Sequence, residues 1–153
     1  EKRITYEQIA YGVRPVALGL LRLYEATRKD EYLKMAGLAA SWLFGNNVLC
    51  QQMYDPATGR CFDGISDSIT VNKNSGAEST IEALYTILEV ERYPIGKKYL
   101  RYFKIESGSS GQYEYAIFQG ENREEVTVAL DLKEGRMLVL EGEEGKRFQE
   151  NLK

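Results

Sequence analysis

The stretch Tyr54 to Glu78, YDPATGRCFDGISDSITVNKNSGAE, decides how the rest of the chain is read. No helical or strand period of apolar residues runs through it. Asp, Asn, Gly and Ser dominate, and it delivers the chain directly into an apolar-periodic segment. Asp55-Pro56-Ala57-Thr58-Gly59 is a turn signal, because Pro presets φ and Gly permits a positive φ. Short extended pieces around Leu49–Tyr54 and Arg60–Asp63 are expected to flank this turn as a small hairpin. Loops of this length usually carry function when helices hold them in place. Residues 45–75 are therefore read as a site loop.

Upstream, Thr5-x-x-Gln8 has the form of a capping box and predicts a helix opening at Tyr6. Ile9, Val13, Val16, Leu20 and Leu23 recur at helical spacing, and Leu18 and Leu21 widen the stripe. Pro15 either kinks this helix or marks the first turn of a new one. Gly12 and Gly19 permit close helix approach, and an end is expected near Arg28. Asp30 is expected to cap a second helix with Tyr32, Leu33, Ala36, Ala39, Ala40, Leu43 and Phe44 on its apolar face, stopped by Gly45. The short connection Thr27–Asp30 makes the two helices an antiparallel hairpin.

Downstream, Ser75-Gly76-Ala77-Glu78 fits a second capping box. Ile81, Leu84, Tyr85, Ile87 and Leu88 form the expected apolar face of a third helix that stops before Pro94. From about Tyr99 the pattern changes to β-formers. Leu100–Ile105, Gln112–Phe118, Glu125–Leu132 and Arg136–Leu140 read as four strands of an antiparallel meander. Ser107–Gly111, Gln119–Asn122 and Lys133–Gly135 are the separators. The tail from Glu141 is charged and expected to fray, with one helical turn. The fold class is α+β. Residues 1–95 form a helical segment bearing the site loop, and residues 96–153 a small antiparallel sheet with its tail.

Composition narrows the chemistry. A length of 153 residues fits one domain, or one with a small appendage, and 43% hydrophobic with 28% charged side chains fits a soluble globular protein. The net charge is −3 and no Lys/Arg run stands out, so nucleic acid and anionic membranes are not expected as partners. The absence of histidine excludes a His-based triad, a His general base and His metal ligands. Acid–base chemistry falls to Asp, Glu, Lys, Tyr or Cys. Cys50 and Cys61 form no CxxC and are read as reduced thiols, with a loop disulfide as the alternative. No apolar run is long enough to span a membrane, and a cytoplasmic protein without a cofactor is expected. Asp55, Asp63 and Asp67 lack the spacing of an EF-hand loop, so no metal site is expected.

Three groups of residues carry a family resemblance. The hairpin holds Leu23-Tyr24-Glu25-Ala26-Thr27, Asp30-Glu31-Tyr32-Leu33 and Ala40-Ser41-Trp42-Leu43-Phe44-Gly45-Asn46-Asn47. CFDG follows at Cys61–Gly64, and VNKNSGAEST at Val71–Thr80. Wording and order resemble the six-hairpin, (α/α) toroid carbohydrate-active proteins over roughly Tyr6 to Arg92. The resemblance implies a partial α/α toroid, about one and a half hairpins of it, and hence either the C-terminal portion of a longer protein or helices that pack in another way. The start at Glu1 rather than Met agrees with an excised piece.

The resemblance also implies two carboxylates acting across a glycosidic bond, and Asp63 and Glu78 are the candidates. A helix N-terminus favours negative charge, which suits Glu78 as base or ligand. Glu78 can equally reach back to the Ser75 amide, and Asp63 can simply stabilise a turn before Gly64. Asn72 and Asn74 flank Lys73 and project to one side if the segment is extended, as sugar-binding amides would; Asn also favours turns. Arg60 and Tyr54 complete the expected substrate-binding set. Trp42 is read as core, and Arg14 and Tyr11 as packing or solvent-facing. The implied function is glycoside processing by carboxylate acid–base chemistry that needs residues outside this chain. A non-catalytic carbohydrate-binding or interaction domain is the alternative. The expected partners are carbohydrate and either the remaining hairpins of the parent chain or a homo-oligomer partner.

Overall fold

Pro15 settles where the first helix begins. Its ring fixes φ and it has no N–H to donate, so it fits a first helical turn and not an interior. The computed structural model describes residues 6–152. Helix α1 spans Val13–Thr27 with Pro15 in its first turn. It is preceded by strand β1 (Gln8–Ile9) and a 3₁₀ turn, Ala10–Gly12. A helix opening at Tyr6 is therefore corrected, and Thr5 of the expected capping box lies outside the described residues. Arg28 ends α1 in the left-handed region at φ 59°, its N–H donating to the Tyr24 carbonyl at 2.7 Å.

Helix α2 spans Asp30–Ala40. Lys29 takes the cap position and Asp30 is already helical. It stands with Glu31 in the first turn, where the helix dipole favours negative charge, and makes no capping bond. A 3₁₀ turn, Ser41–Phe44, continues α2 until Gly45 stops it at φ 113°. Helix α3 spans Ala77–Glu91 and begins one residue later than a Ser75 cap would place it, because Gly76 is the cap. Pro94 does more than end α3: it opens a further short helix, α4 (Pro94–Tyr99).

The buried faces follow small side chains. Ala17 and Leu21 of α1, Leu33, Ala36 and Ala40 of α2, and Val90 and Leu100 form one core. The expected stripe on α1 is out of phase with this line: Val16 is 55% exposed and Leu23 also faces outward. On α3 the inward residues are Ser79, Ala83, Thr86 and Val90. Ile81, Tyr85 and Leu88 are exposed, Leu88 to 60%. Small residues win the inner positions because the helices approach closely. At Gly37 a Cβ would lie 2.4 Å from the Gly96 carbonyl oxygen, so α2 meets α4 backbone to backbone.

Two small sheets line the loop region. Strand β2 (Tyr54–Asp55) pairs with β3 (Arg60–Cys61), Tyr54 opposite Cys61 and Asp55 opposite Arg60. Strand β4 (Gly64–Ile65) lies antiparallel between β1 and β5 (Val71–Asn72). A second core of Ala10, Leu43, Met53, Cys61, Ile65 and Ala83 sits beneath them.

The chain divides into two units, one up to Arg101 and one from Tyr102. The second is an antiparallel meander of β6 (Phe103–Ser110), β7 (Tyr113–Gln119), β8 (Glu125–Asp131) and β9 (Arg136–Glu141), in that order. Strand β6 starts later than expected and runs through the Ser-Gly segment read as a separator. Gly108 there faces Tyr115, whose ring would come within 3.2 Å of a Cβ at that position. The tail is a nine-residue helix, α5 (Gly142–Glu150), rather than a frayed end. Phe148 stacks edge-on to Tyr113 at 5.1 Å, and Gln149 donates to Thr127 at 3.0 Å. The fold is α+β.

Asp131 closes the β8–β9 turn. It is 2% exposed and accepts the Lys133 and Glu134 amides and the Gln112 side chain, each at 3.0 Å. The Glu134 amide, with smaller help from Gln112 and Lys133, holds its carboxyl below the ordinary 3.8 against the opposing effect of burial. A depressed folded pKa makes this contribution present above the unfolded value and lost as pH falls through the folded one. A carboxyl-carbon NMR titration is expected to place Asp131 below 3.8, and Gln112→Ala to move it upward; a midpoint at or above 3.8 contradicts this account. Gly37→Ala is expected to cost about 1–3 kcal/mol in urea unfolding through overpacking against α4; an unchanged midpoint contradicts the backbone contact.

Candidate functional site

The CFDG and GAEST segments lock onto one another. The Cys61 N–H donates to the Thr80 hydroxyl at 3.3 Å, and Thr80 in turn lies 3.2 Å from the Ser75 hydroxyl. Asp63 makes the larger set of ties. Its N–H is shared between the carbonyls of Asn74 at 2.8 Å and Asn72 at 3.2 Å. Its own carbonyl accepts the Ala10 N–H at 2.9 Å. Its Oδ1 accepts the Gly76 N–H at 2.8 Å, at the start of α3. One residue thus joins the N-terminal segment, the Asn72–Asn74 turn and the third helix. Gly64 must follow it, because a Cβ there would lie 2.3 Å from the Gln8 carbonyl oxygen.

The upstream half of the loop is organised by Asn47, which is 3% exposed. Its amide donates to the Trp42 and Gln51 carbonyls at 3.0 and 2.6 Å. Its oxygen accepts the Leu49 and Gln51 N–H groups at 3.2 and 3.1 Å. All the capacity of a buried amide is used, as burial requires. Trp42 is half-buried and its indole N–H donates to Gln8 at 2.9 Å, so it serves packing.

Between these two anchors the β2–β3 hairpin projects. Asp55 Oδ1 accepts the Ala57 N–H at 2.9 Å, Oδ2 accepts the Thr58 hydroxyl at 2.7 Å, and Gly59 takes φ 73°. The Thr58 hydroxyl and then the Ala57 amide hold the Asp55 carboxyl below its usual range. Beside the hairpin lies a cleft of about 460 Å³ lined by Tyr54, Arg60, Phe62 and Lys73, with Gln52, Met53, Asp55 and Thr58. Tyr54 is steadied by an edge-on contact with Phe44 at 5.9 Å. Cys61 is buried in the second core, against which Tyr54 and Phe62 also pack, and its neighbours Arg60 and Phe62 both line the cleft.

The expected site residues separate into two groups. Tyr54 and Arg60 share the cleft. Asp63 and Glu78 do not line it. Asp63 is half-buried in the junction, and Glu78 is the exposed second residue of α3, one position short of the capping-box place. Asn72 and Asn74 do not line the cleft either. Strand β5 stops at Asn72, whose Oδ1 accepts the Asn74 N–H at 3.1 Å. Lys73, between them, is the residue that reaches the cleft. Phe62, Lys73, Gln52 and Thr58 were missed. For Phe62 the signal was available, since it follows Arg60 at strand spacing.

Other candidates resolve locally. Asp67 accepts the Ile69 and Thr70 amides at 2.9 and 2.8 Å, and the Ile69 bond contributes most to its lowered pKa. Asp55, Asp63 and Asp67 therefore each serve separate turns. Among the described residues no group of three or more acidic or cysteine side chains gathers as metal ligands. Both cysteines are free, Cys50 exposed and Cys61 buried. Burial, and secondarily Asp63, pushes the Cys61 thiol up to about 11, so it stays protonated and is no nucleophile at neutral pH. Arg14 grips Glu82 with bonds of 2.8 and 2.7 Å and lies over the Tyr85 ring.

No known protein family matches the chain, and comparison with curated proteins finds no match.

Asp63→Ala is expected to lower the unfolding free energy by about 1–2 kcal/mol, because it strips the acceptor from the Gly76 amide. Asp63→Asn, which keeps an oxygen there, is expected to cost less. Equal losses for the two in urea unfolding contradict the junction role.

Proposed function

We propose that the unit up to Arg101 is a carbohydrate-active, glycosidase-like domain that takes a saccharide in the cleft beside the β2–β3 hairpin. The carrying observation is the composition of that cleft. Two aromatic rings, Tyr54 and Phe62, stand beside the exposed hydrogen-bonding groups of Gln52, Thr58, Arg60 and Lys73. Apolar ring faces suit the C–H faces of a sugar, and the polar groups suit its hydroxyls. The cleft volume lies within the range of small-ligand sites.

On this reading the domain is the C-terminal portion of a six-hairpin, (α/α) toroid-type glycoside-processing protein. The exposed stripe of Ile81, Tyr85 and Leu88 on α3 supports a need for further helices, supplied by the remaining hairpins of the parent chain. Asp63 and Glu78, which lie outside the cleft lining, are then its carboxylates for acid–base chemistry, with the cleft as an adjoining sugar subsite and the site completed by groups outside this chain. One observation favours the second reading, a non-catalytic carbohydrate-binding domain: the Asp63 carboxylate is already committed to the Gly76 amide. Free Cys50 and Cys61 support a cytoplasmic setting for either activity. No helix among the described residues is long and apolar enough to cross a membrane.

A glycan array probed with the chain is expected to return at least one saccharide, with Tyr54→Ala weakening its binding roughly tenfold. Capture of no glycan contradicts the proposal. In the parent protein, loss of turnover in Asp63→Asn and Glu78→Gln selects the enzyme reading, and full turnover in both selects the binding one.

A further inference from the structure

The cleft is lined by two cations and one carboxylate. Neither Arg60 nor Lys73 has a side-chain hydrogen bond or ion pair with another described residue, and both are exposed. The one carboxylate in the lining, Asp55, stands opposite Arg60 in the hairpin and is hydrogen-bonded to the Ala57 amide and the Thr58 hydroxyl; it keeps its negative charge, so the lining carries one net positive charge. Positive charge here does not follow from the chain as a whole, whose net charge is −3.

Both cations also stand on pinned backbone. Arg60 precedes Cys61, whose N–H is held by Thr80. Lys73 lies between Asn72 and Asn74, whose carbonyls both accept the Asp63 N–H. A guanidinium presents paired donors that match a carboxylate, and an ammonium adds a point charge. Fixed bases for both side chains reduce the ordering needed to use them together.

We infer that the cleft selects an acidic saccharide, one whose anionic substituent is read by Arg60 and Lys73 while Tyr54 and Phe62 cover a sugar face. This inference rests on the carbohydrate reading of the same cleft. Titration calorimetry tests it with the intact chain and four probes: a uronate oligosaccharide, its neutral counterpart, a sulfated counterpart and polyglutamate. The uronate is expected to bind about fivefold to tenfold tighter than the neutral sugar at low salt, an advantage that shrinks at high salt. Arg60→Gln and Lys73→Gln are each expected to reduce that advantage. A sulfated sugar binding as tightly as the uronate also supports an acidic-saccharide site. Equal affinity for uronate and neutral sugar overturns the inference and leaves the carbohydrate reading standing. Polyglutamate binding as tightly as the uronate overturns it in favour of a general anion site. Binding of no saccharide removes both.

Discussion

Asp63 uses its N–H, its carbonyl and one carboxylate oxygen to keep three segments together. Its N–H reaches the Asn72–Asn74 turn, its carbonyl the Ala10 amide, and its carboxylate the amide that opens α3. A half-buried loop must satisfy its backbone groups without a long ladder of strand bonds, and this residue is the main means of doing so. The requirement propagates along the chain. Gly64 must lack a side chain for β1 to approach, and Gly76 leaves room for the Asp63 carboxylate. Thr80 then ties the first turn of α3 to Cys61. The order CFDG before GAEST is thus the order in which two halves of one hydrogen-bonded junction occur in the chain.

The cleft follows from that junction. Cys61 is buried in the core and held at its N–H, and Arg60 and Phe62 on either side of it line the cleft. With Asp63 gripping the carbonyls on either side of Lys73, that side chain is delivered to the same place. The residues that make the loop rigid and those that line the cleft are therefore different residues with adjacent numbers. This division separates the Asp63 carboxylate, bonded to the Gly76 amide, from the side chains that line the cleft.

Much of this was legible in the sequence. The turn at Asp55–Gly59, the hairpin around it, the Gly45 stop and the meander follow from local chemistry that tertiary contacts do not override. The α2 face was legible, with Leu33, Ala36, Ala40 and Leu43 buried as expected; the phase of the α1 and α3 faces was not. Val16, Leu23, Ile81 and Leu88 are large apolar residues at helical spacing there, yet Ala17, Ala83 and Thr86 occupy inner positions. Close helix approach rewards small side chains, and a hydrophobicity pattern ranks them low. The start of α1 was misplaced because Pro15 is compatible with both a kink and a first turn. The tail was misread because α5 is stabilised by Phe148 on Tyr113 and Gln149 on Thr127, contacts across the chain that local composition does not contain. Of the candidate site, Tyr54 and Arg60 were found by residue type. Lys73 was hidden because its position depends on the turn around it.

The central claim is that a saccharide is held beside the β2–β3 hairpin by side chains set in place from the Asp63 junction. Amide NMR spectra recorded while an oligosaccharide is titrated into the chain test it most directly. The account predicts shifts concentrated at Gln52, Tyr54, Thr58, Arg60, Phe62 and Lys73, with the meander from Phe103 onward unmoved. Shifts centred elsewhere, or none at saturating oligosaccharide, would contradict it.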